Sequence, residues 1–190
     1  ESTEQITKAM KLVATVKLQK ARGRAEDSRL YFNMMYETIR QMLKKSGRLD
    51  HKYLRAAKSE KKAIVVVTSN RGLAGANMIR LVADSGIPVS DAKIFAVGKK
   101  GRDGLSRKGY EIAADHSEMI EEPSYDDALA VTKELLALFE AGEIGEIWLA
   151  YTSFKNTVSQ IPRLIKLLPV DANEAAGSES GAEKDDLLLM

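Results

Sequence analysis

The residues of this 190-residue chain whose types could do chemistry are two glycine-containing loops, two pairs of adjacent carboxylates, two histidines and a few serines. The first loop, Ser69-Asn70-Arg71-Gly72-Leu73-Ala74-Gly75-Ala76-Asn77, follows a β-branched run and leads into a helical pattern. That is where backbone N–H groups and a helix dipole can hold a phosphate. Its glycines, however, lack the spacing of a dinucleotide fingerprint, and it does not end in the Lys-Ser/Thr of a phosphate loop. The second loop, Gly98-Lys99-Lys100-Gly101-Arg102, is basic and also sits at a strand end, a pattern shared with many ordinary turns. Asp126 and Asp127, like Glu121 and Glu122, stand near a helix start, where carboxylates meet the positive end of the dipole. That explains them better than acid-base catalysis. Neither His51 nor His116 has neighbours at metal-ligand spacing, and Ser153 and Ser159 lack a nucleophile-elbow or triad context. With no cysteine there is no disulfide framework, thiol chemistry or cysteine-based zinc site. No catalytic residue, cofactor or metal is expected.

The elements around these loops alternate. Residues 63–68 (Ala-Ile-Val-Val-Val-Thr) read as a buried strand, and strand-like runs recur at 93–97, 110–114 and 147–151. Helical patterns lie between them at 76–83, around 102–107, and at 125–141, where Leu129, Thr132, Leu135, Leu136 and Phe139 share one side. Trp148 is expected in the core of the sheet. Alternation of this kind implies a mostly parallel sheet with crossover helices, so residues 62–170 are read as a Rossmann-like α/β domain. A polar connector, 47–61, precedes it. Residues 171–190 follow, an acidic linker composition ending in Leu187-Leu188-Leu189-Met190.

Residues 1–46 are of another kind. No proline occurs before Pro88, and Gly23 is the only glycine before Gly47, so one long helix is predicted. Ser2 and Gln5 fit a capping box at its start. Steps of four and three give Ile6, Met10, Val13, Lys17, Lys20, Arg24, Asp27 and Tyr31, resuming as Met35, Thr38 and Met42. Such a repeat keeps one seam facing a partner helix. The seam is apolar at both ends and charged in the middle. Lys8, Lys11, Lys17, Lys20, Arg22 and Arg24 make six basic residues uninterrupted by an acidic one. Taken singly, each could be a solvated lysine or arginine; together they could also meet an anionic membrane or a nucleic acid. The absence of Trp from the segment, and of any reading module downstream, favours a helix partner.

Here the residues become recognisable. Gln5-Ile6-Thr7-Lys8-Ala9-Met10-Lys11-Leu12-Val13-Ala14, then Lys17-Leu18 and Lys20-Ala21-Arg22, closely resembles the N-terminal helix of the γ subunit of F-type ATP synthases. Arg71-Gly72-Leu73-x-Gly75 resembles that family's Asp-Arg-Gly-Leu-Cys-Gly-Gly signature, with Asn70 in place of the aspartate, Ala74 of the frequent cysteine and Ala76 of the second glycine. Phe154-x-Asn156-Thr157-Val158-Ser159-Gln160-x-Pro162 and Leu167-Leu168-Pro169 resemble the family's segment leading out of its α/β domain.

The resemblance implies a non-catalytic rotor subunit of a proton-translocating ATP synthase, a Rossmann-like domain preceded by a coiled-coil helix. Its partners would be the α and β subunits, the ε subunit and the c-ring, with no nucleic acid and no direct insertion into a membrane. On this resemblance Met10, Lys11, Lys17, Lys20 and Arg24 are shaft surface facing partners, and Ile6, Val13 and Val16 form the coiled-coil seam. Arg71, Gly72, Leu73 and Gly75 make a tight turn. The chain would be a fragment lacking the family's C-terminal helix and, since the family carries further basic helix upstream of the matching point, one trimmed at its start as well, a reading preferred over the capping-box start. Since the chloroplast-type insertion and a targeting segment are both missing, a peripheral place at the cytoplasmic face of a bacterial membrane is expected. A net charge of +2 makes the basic segment a local feature. The alternative from another class is a phosphate- or nucleotide-sensing domain that binds at residues 72–77 and signals through its helix; a basic-helix nucleic-acid binder ranks last.

Overall fold

The structure, a computed structural model, describes residues 2–46, 52–55, 58–72, 75–154, 156 and 159–170. It divides into two compact units, one containing the long helix and one the α/β domain.

Helix α1 runs unbroken over Ser2–Ser46, 45 residues. At 1.5 Å per residue that is about 67 Å of helix. Gly23 sits inside it without a break. Thr7, Thr15 and Thr38 turn their hydroxyls back to the carbonyls of Thr3, Lys11 and Met34, so these β-branched residues satisfy their polar atoms within the helix.

The second unit is a five-stranded sheet in the order β3-β2-β1-β4-β5. Its strands are β1 (Lys62–Val67), β2 (Ala92–Val97), β3 (Glu111–Asp115), β4 (Glu146–Phe154) and β5 (Gln160–Leu168). Pairings β1–β2, β1–β4 and β2–β3 are parallel; β4–β5 is antiparallel. Three helices accompany it, α2 (Ala76–Ala83), α3 (Lys99–Ser106) and α4 (Tyr125–Glu140). The period of two in a strand separates two cores. Ile64 and Val66 of β1 join Ile94, Ala96 and Ala150 against Met78 and Val82 of α2 and Leu105 of α3. Ala63 and Val65 join Phe95, Val97 and Ile147 against Val131, Leu135 and Phe139 of α4. Both faces of β1 are covered, so from Ala63 to Val67 its sequence is continuously apolar with no alternation. At the start of the sheet the paired residues Lys62 and Glu146 form a half-buried ion pair of 2.8 Å, and Trp148 Nε1 donates to the same carboxylate at 2.7 Å.

Three expectations need correction. The expected side of the last helix included Thr132, which is exposed and bonds Ala128 O, whereas Val131 takes the buried place. Trp148 is half-buried, its ring against the first core and its N–H on Glu146. Residues 160–168, read only as a joining segment, form β5; Pro162 lies within it opposite Thr152. A proline cannot donate to a ladder and is tolerated on an edge strand, which β5 is. His51, the linker at 171–186 and the apolar end at 187–190 lie outside the described residues.

Helix α4 starts on a capping box. Ser124 Oγ accepts from Asp127 N at 3.2 Å and Asp127 Oδ2 accepts from Ser124 N at 3.2 Å, with Asp126 and Asp127 in the first turn. This assigns the adjacent aspartates the helix-start role expected of them. Substituting Ser124→Ala is expected to lower the domain's stability by about 1 kcal/mol, read as a shift in the denaturant midpoint followed by the fluorescence of Trp148, the single tryptophan.

Candidate functional site

The surface of α1 carries most of the residues singled out from sequence. Ile6 is 57% exposed, Met10 69%, Val13 58% and Val16 44%. Tyr31, Met35 and Met42 continue the apolar seam and are also exposed. Exposure of so many large apolar groups in one row marks an interaction surface. Lys11, Lys17, Lys20 and Arg24 are exposed as well. At its two ends the basic run is matched within the helix: Lys8 pairs with Glu4 at 2.8 Å and Arg22 with Glu26 at 2.7 Å, both with i,i+4 spacing. Lys11, Lys17 and Lys20 lie between those two pairs and carry the positive charge of the middle of the run.

A second constellation lies at the carboxyl ends of β1, β2 and β3. Between β1 and β4 the strand order changes direction, which is where open α/β sheets take their ligands. Here the turn after β1 spends its polar atoms on the chain itself. The first helical N–H groups of α3 are donors without partners inside that helix. Lys99 N–H donates to Asn70 Oδ1 at 3.0 Å, Lys100 N–H to Ser69 O at 3.2 Å, and Gly101 N–H to Thr68 Oγ1 at 2.8 Å. Thr68 Oγ1 in turn donates to Gly98 O at 3.1 Å. Asn70 Nδ2 donates to Ser117 O at 3.0 Å and to Glu121 Oε1 at 3.3 Å. Gly98 is required for the close approach: its φ is +122°, and a Cβ there would overlap the Thr68 carbonyl. Residues 99–102, expected as a loop, are thus the first turn of α3, and the amides of Lys99, Lys100 and Gly101 that it would offer to a phosphate are already capped.

Of the turn-motif residues, Arg71 and Gly72 are exposed, Gly72 has φ +81°, and Gly75 is buried against Lys100; Leu73 lies outside the described residues. The left-handed conformation of Gly72 is what a tight turn needs. Sequence reasoning missed Thr68 as a cap and saw Asn70 only as a substitute for aspartate. The available signal was the polar run Thr68-Ser69-Asn70 directly after a buried strand.

Several titratable groups of this unit are engaged in local ties. Asp115 binds the Ser117 hydroxyl and backbone N–H and faces Arg102 Nη1 at 2.6 Å. The Ser117 hydroxyl most of all, helped by Arg102 and the Ser117 backbone N–H, holds its carboxyl below the usual carboxylate range against the opposing push from burial. Glu140 accepts from Lys52 Nζ at 2.6 Å and from Tyr53 Oη at 2.7 Å, tying the 3₁₀ turn Lys52–Leu54 to α4. His116 Nε2 lies 3.3 Å from Glu134 Oε2. Among the described residues no group of three or more His, Cys, Asp or Glu could hold a metal ion, and no helix is long and apolar enough to cross a membrane.

Comparisons with known proteins agree with one another. A family model described as ATP synthase matches residues 1–188. The ATP synthase gamma chain of Lachnoclostridium phytofermentans is 56% identical over 190 residues, covering 98% of this chain and 65% of that one. The ATP synthase gamma chain of Alkaliphilus metalliredigens is 35% identical over 191 residues, covering 98% and 66%. The present chain thus spans about two-thirds of the length of these curated relatives. Among solved structures, a chain of the central stalk and c-ring of the Tetrahymena thermophila mitochondrial ATP synthase is similar with a TM-score of 0.65 and 25% identity, over 86% of this chain and 72% of that chain.

Two outcomes test the capped turn and its neighbour. Thr68→Val keeps the branched shape but leaves the buried Gly101 N–H without its acceptor, while Gly98 O keeps the Arg102 N–H as donor, so it is expected to cost about 1–3 kcal/mol and to speed hydrogen exchange at Gly101. Unchanged exchange there would show that Thr68 does not cap α3. Asp115 has a depressed folded pKa. It therefore adds its stability in full above its unfolded pKa of ~3.9 and loses it as pH falls through the lower folded value. Ser117→Ala should raise that folded value and shrink the acid-dependent loss seen in denaturant midpoints taken below about pH 4.

Proposed function

The chain belongs to the ATP synthase gamma family, and from that premise we propose that it acts as the central-stalk rotor of an F-type ATP synthase, carrying torque between the membrane c-ring and the catalytic α/β ring. The observation that carries the reading is α1 itself: 45 residues of uninterrupted helix with an exposed seam that is apolar at its ends and basic in its middle.

On this reading the chain performs no bond chemistry. A rotor works by presenting different surfaces to identical partners in turn, so that each catalytic subunit finds a different conformation favoured as the shaft rotates. The required quantity is a difference in interaction free energy between the partner's states, since a surface that bound all states equally would shift none of them. The apolar residues Ile6, Val13 and Val16 would form the coiled-coil seam. Met10, Lys11, Lys17, Lys20 and Arg24 would be the surface read by the catalytic subunits. Their worth there would exceed that of an exposed ion pair, because a lysine enclosed by a ring is screened less than one in open water. The ε subunit and the c-ring would be the partners at the other end, placing the complex at the cytoplasmic face of a bacterial membrane with this chain as a peripheral part. The self-capped α3 speaks against a phosphate site at the basic Gly98–Arg102 segment, because the donors it would use are already taken.

Reversing charge at Lys17, Lys20 and Arg24 together, in the assembled complex, is expected to impair coupling of ATP hydrolysis to proton pumping while the complex still assembles. Coupling ratios equal to wild type would remove the role given to the basic surface.

A further inference from the structure

We propose that Asn70 is the centre of a clasp holding the carboxyl ends of β1, β2 and β3 together, and that Glu121 is the group that makes an amide, and not a carboxylate, the right side chain at position 70. This inference stands independently of the rotor reading.

An asparagine side chain has an acceptor end and a donor end, and here each has an obligatory partner. Its oxygen faces the Lys99 N–H, which can only donate, at 3.0 Å. Its nitrogen faces the Ser117 carbonyl, which can only accept, at 3.0 Å, and the Glu121 carboxylate at 3.3 Å. These two partners fix the orientation of the amide without ambiguity. The three contacts reach 29, 47 and 51 residues along the chain. They join the turn after β1 to the start of α3, which follows β2, and to the 3₁₀ turn Ser117–Ile120, which follows β3.

A carboxylate at position 70 would suit one partner better. An anion at a helix N-terminus gains from the dipole as well as from the N–H. On its other side the same carboxylate would turn an oxygen toward the Ser117 carbonyl and the Glu121 carboxylate, replacing two attractive contacts by two repulsive ones. The charge that would help α3 is thus the charge that Glu121 excludes. Position 70 stands where the family signature has aspartate, so the choice at 70 and the choice at 121 are linked in this chain.

The test is a double-mutant cycle on the 190-residue chain, with unfolding followed by Trp148 fluorescence, which reports on the α/β domain. Asn70→Asp is expected to lower the folded-to-unfolded ratio on the order of tenfold, and in the Glu121→Gln background by only about threefold or less, a coupling of the size seen for neighbouring groups. The gap between the two backgrounds should narrow at high salt, since part of it is charge repulsion. Hydrogen exchange at Lys99 separates the cap from the repulsion: protection is kept in Asn70→Asp, which still offers an acceptor, and lost in Asn70→Ala. If Asn70→Asp does not fold, a folded Asn70→Asp/Glu121→Gln chain reports the same coupling. Equal losses in both backgrounds, no loss from Asn70→Asp, or failure of the double variant to fold would each overturn the proposal.

Discussion

The constraint on which the α/β domain depends is the placement of β1, paired in parallel with β2 on one side and β4 on the other. A strand in that position has both faces covered, so Ala63, Ile64, Val65 and Val66 must all be apolar and each core must bring its own helices. Parallel pairing also forces every connection to cross the sheet, which puts α2 and α3 on one face and α4 on the other. Gly104 reflects the same crowding: a Cβ there would overlap the end of the Ile79 side chain, which would have to shift to make room between α2 and α3. The carboxyl end of β1 then lies next to the starts of the elements that follow β2 and β3, the geometry that lets one turn reach both.

In many folds of this shape that end of the sheet is where a ligand completes the helix N-termini. Here Thr68, Ser69 and Asn70 complete α3 from within the chain. The same atoms cannot serve both purposes, because a donor bonded at about 3 Å to the protein is not offered to a phosphate. The start of α3 is thus closed by the chain itself, which ties the turn after β1 to the element that follows β2.

What could be read in the sequence divides along physical lines. The long helix, β1 and α2 were legible nearly to the residue, because proline and glycine placement and a β-branched run are local signals. The fold class followed from alternation alone. β5 was not legible, because Pro162 argues against a strand unless the strand is known to be an edge, and being an edge is a property of the whole sheet. The choice of Val131 over Thr132 for the core face of α4 turned on a single helical position of about 100°, finer than the pattern resolves. Asn70 could not be understood without Ser117 and Glu121, which are remote in sequence and close only after folding. The surface residues of α1 were recognisable from their spacing, but their purpose depends on partners that a single chain does not contain.

That last point bears on how such a chain could act at all. A catalytic residue is identified by what it touches, whereas a rotor surface is identified by a difference: the same helix face must be favourable to one state of a partner and less favourable to another. An apolar seam interrupted by positive charge has that property built in, because apolar and charged stretches respond oppositely to being enclosed. Burial stabilises Ile6, Met10 and Val13 against any dry surface, in proportion to area. For Lys17 and Lys20 burial is costly unless an acidic group is presented at the right place. On the rotor reading proposed above, a helix of this composition would hold a partner through its apolar ends in every state while its charged middle discriminates between states. Discrimination located in a few charged residues, and affinity in the flanking apolar ones, would let one helix stay bound through a cycle and still bias it.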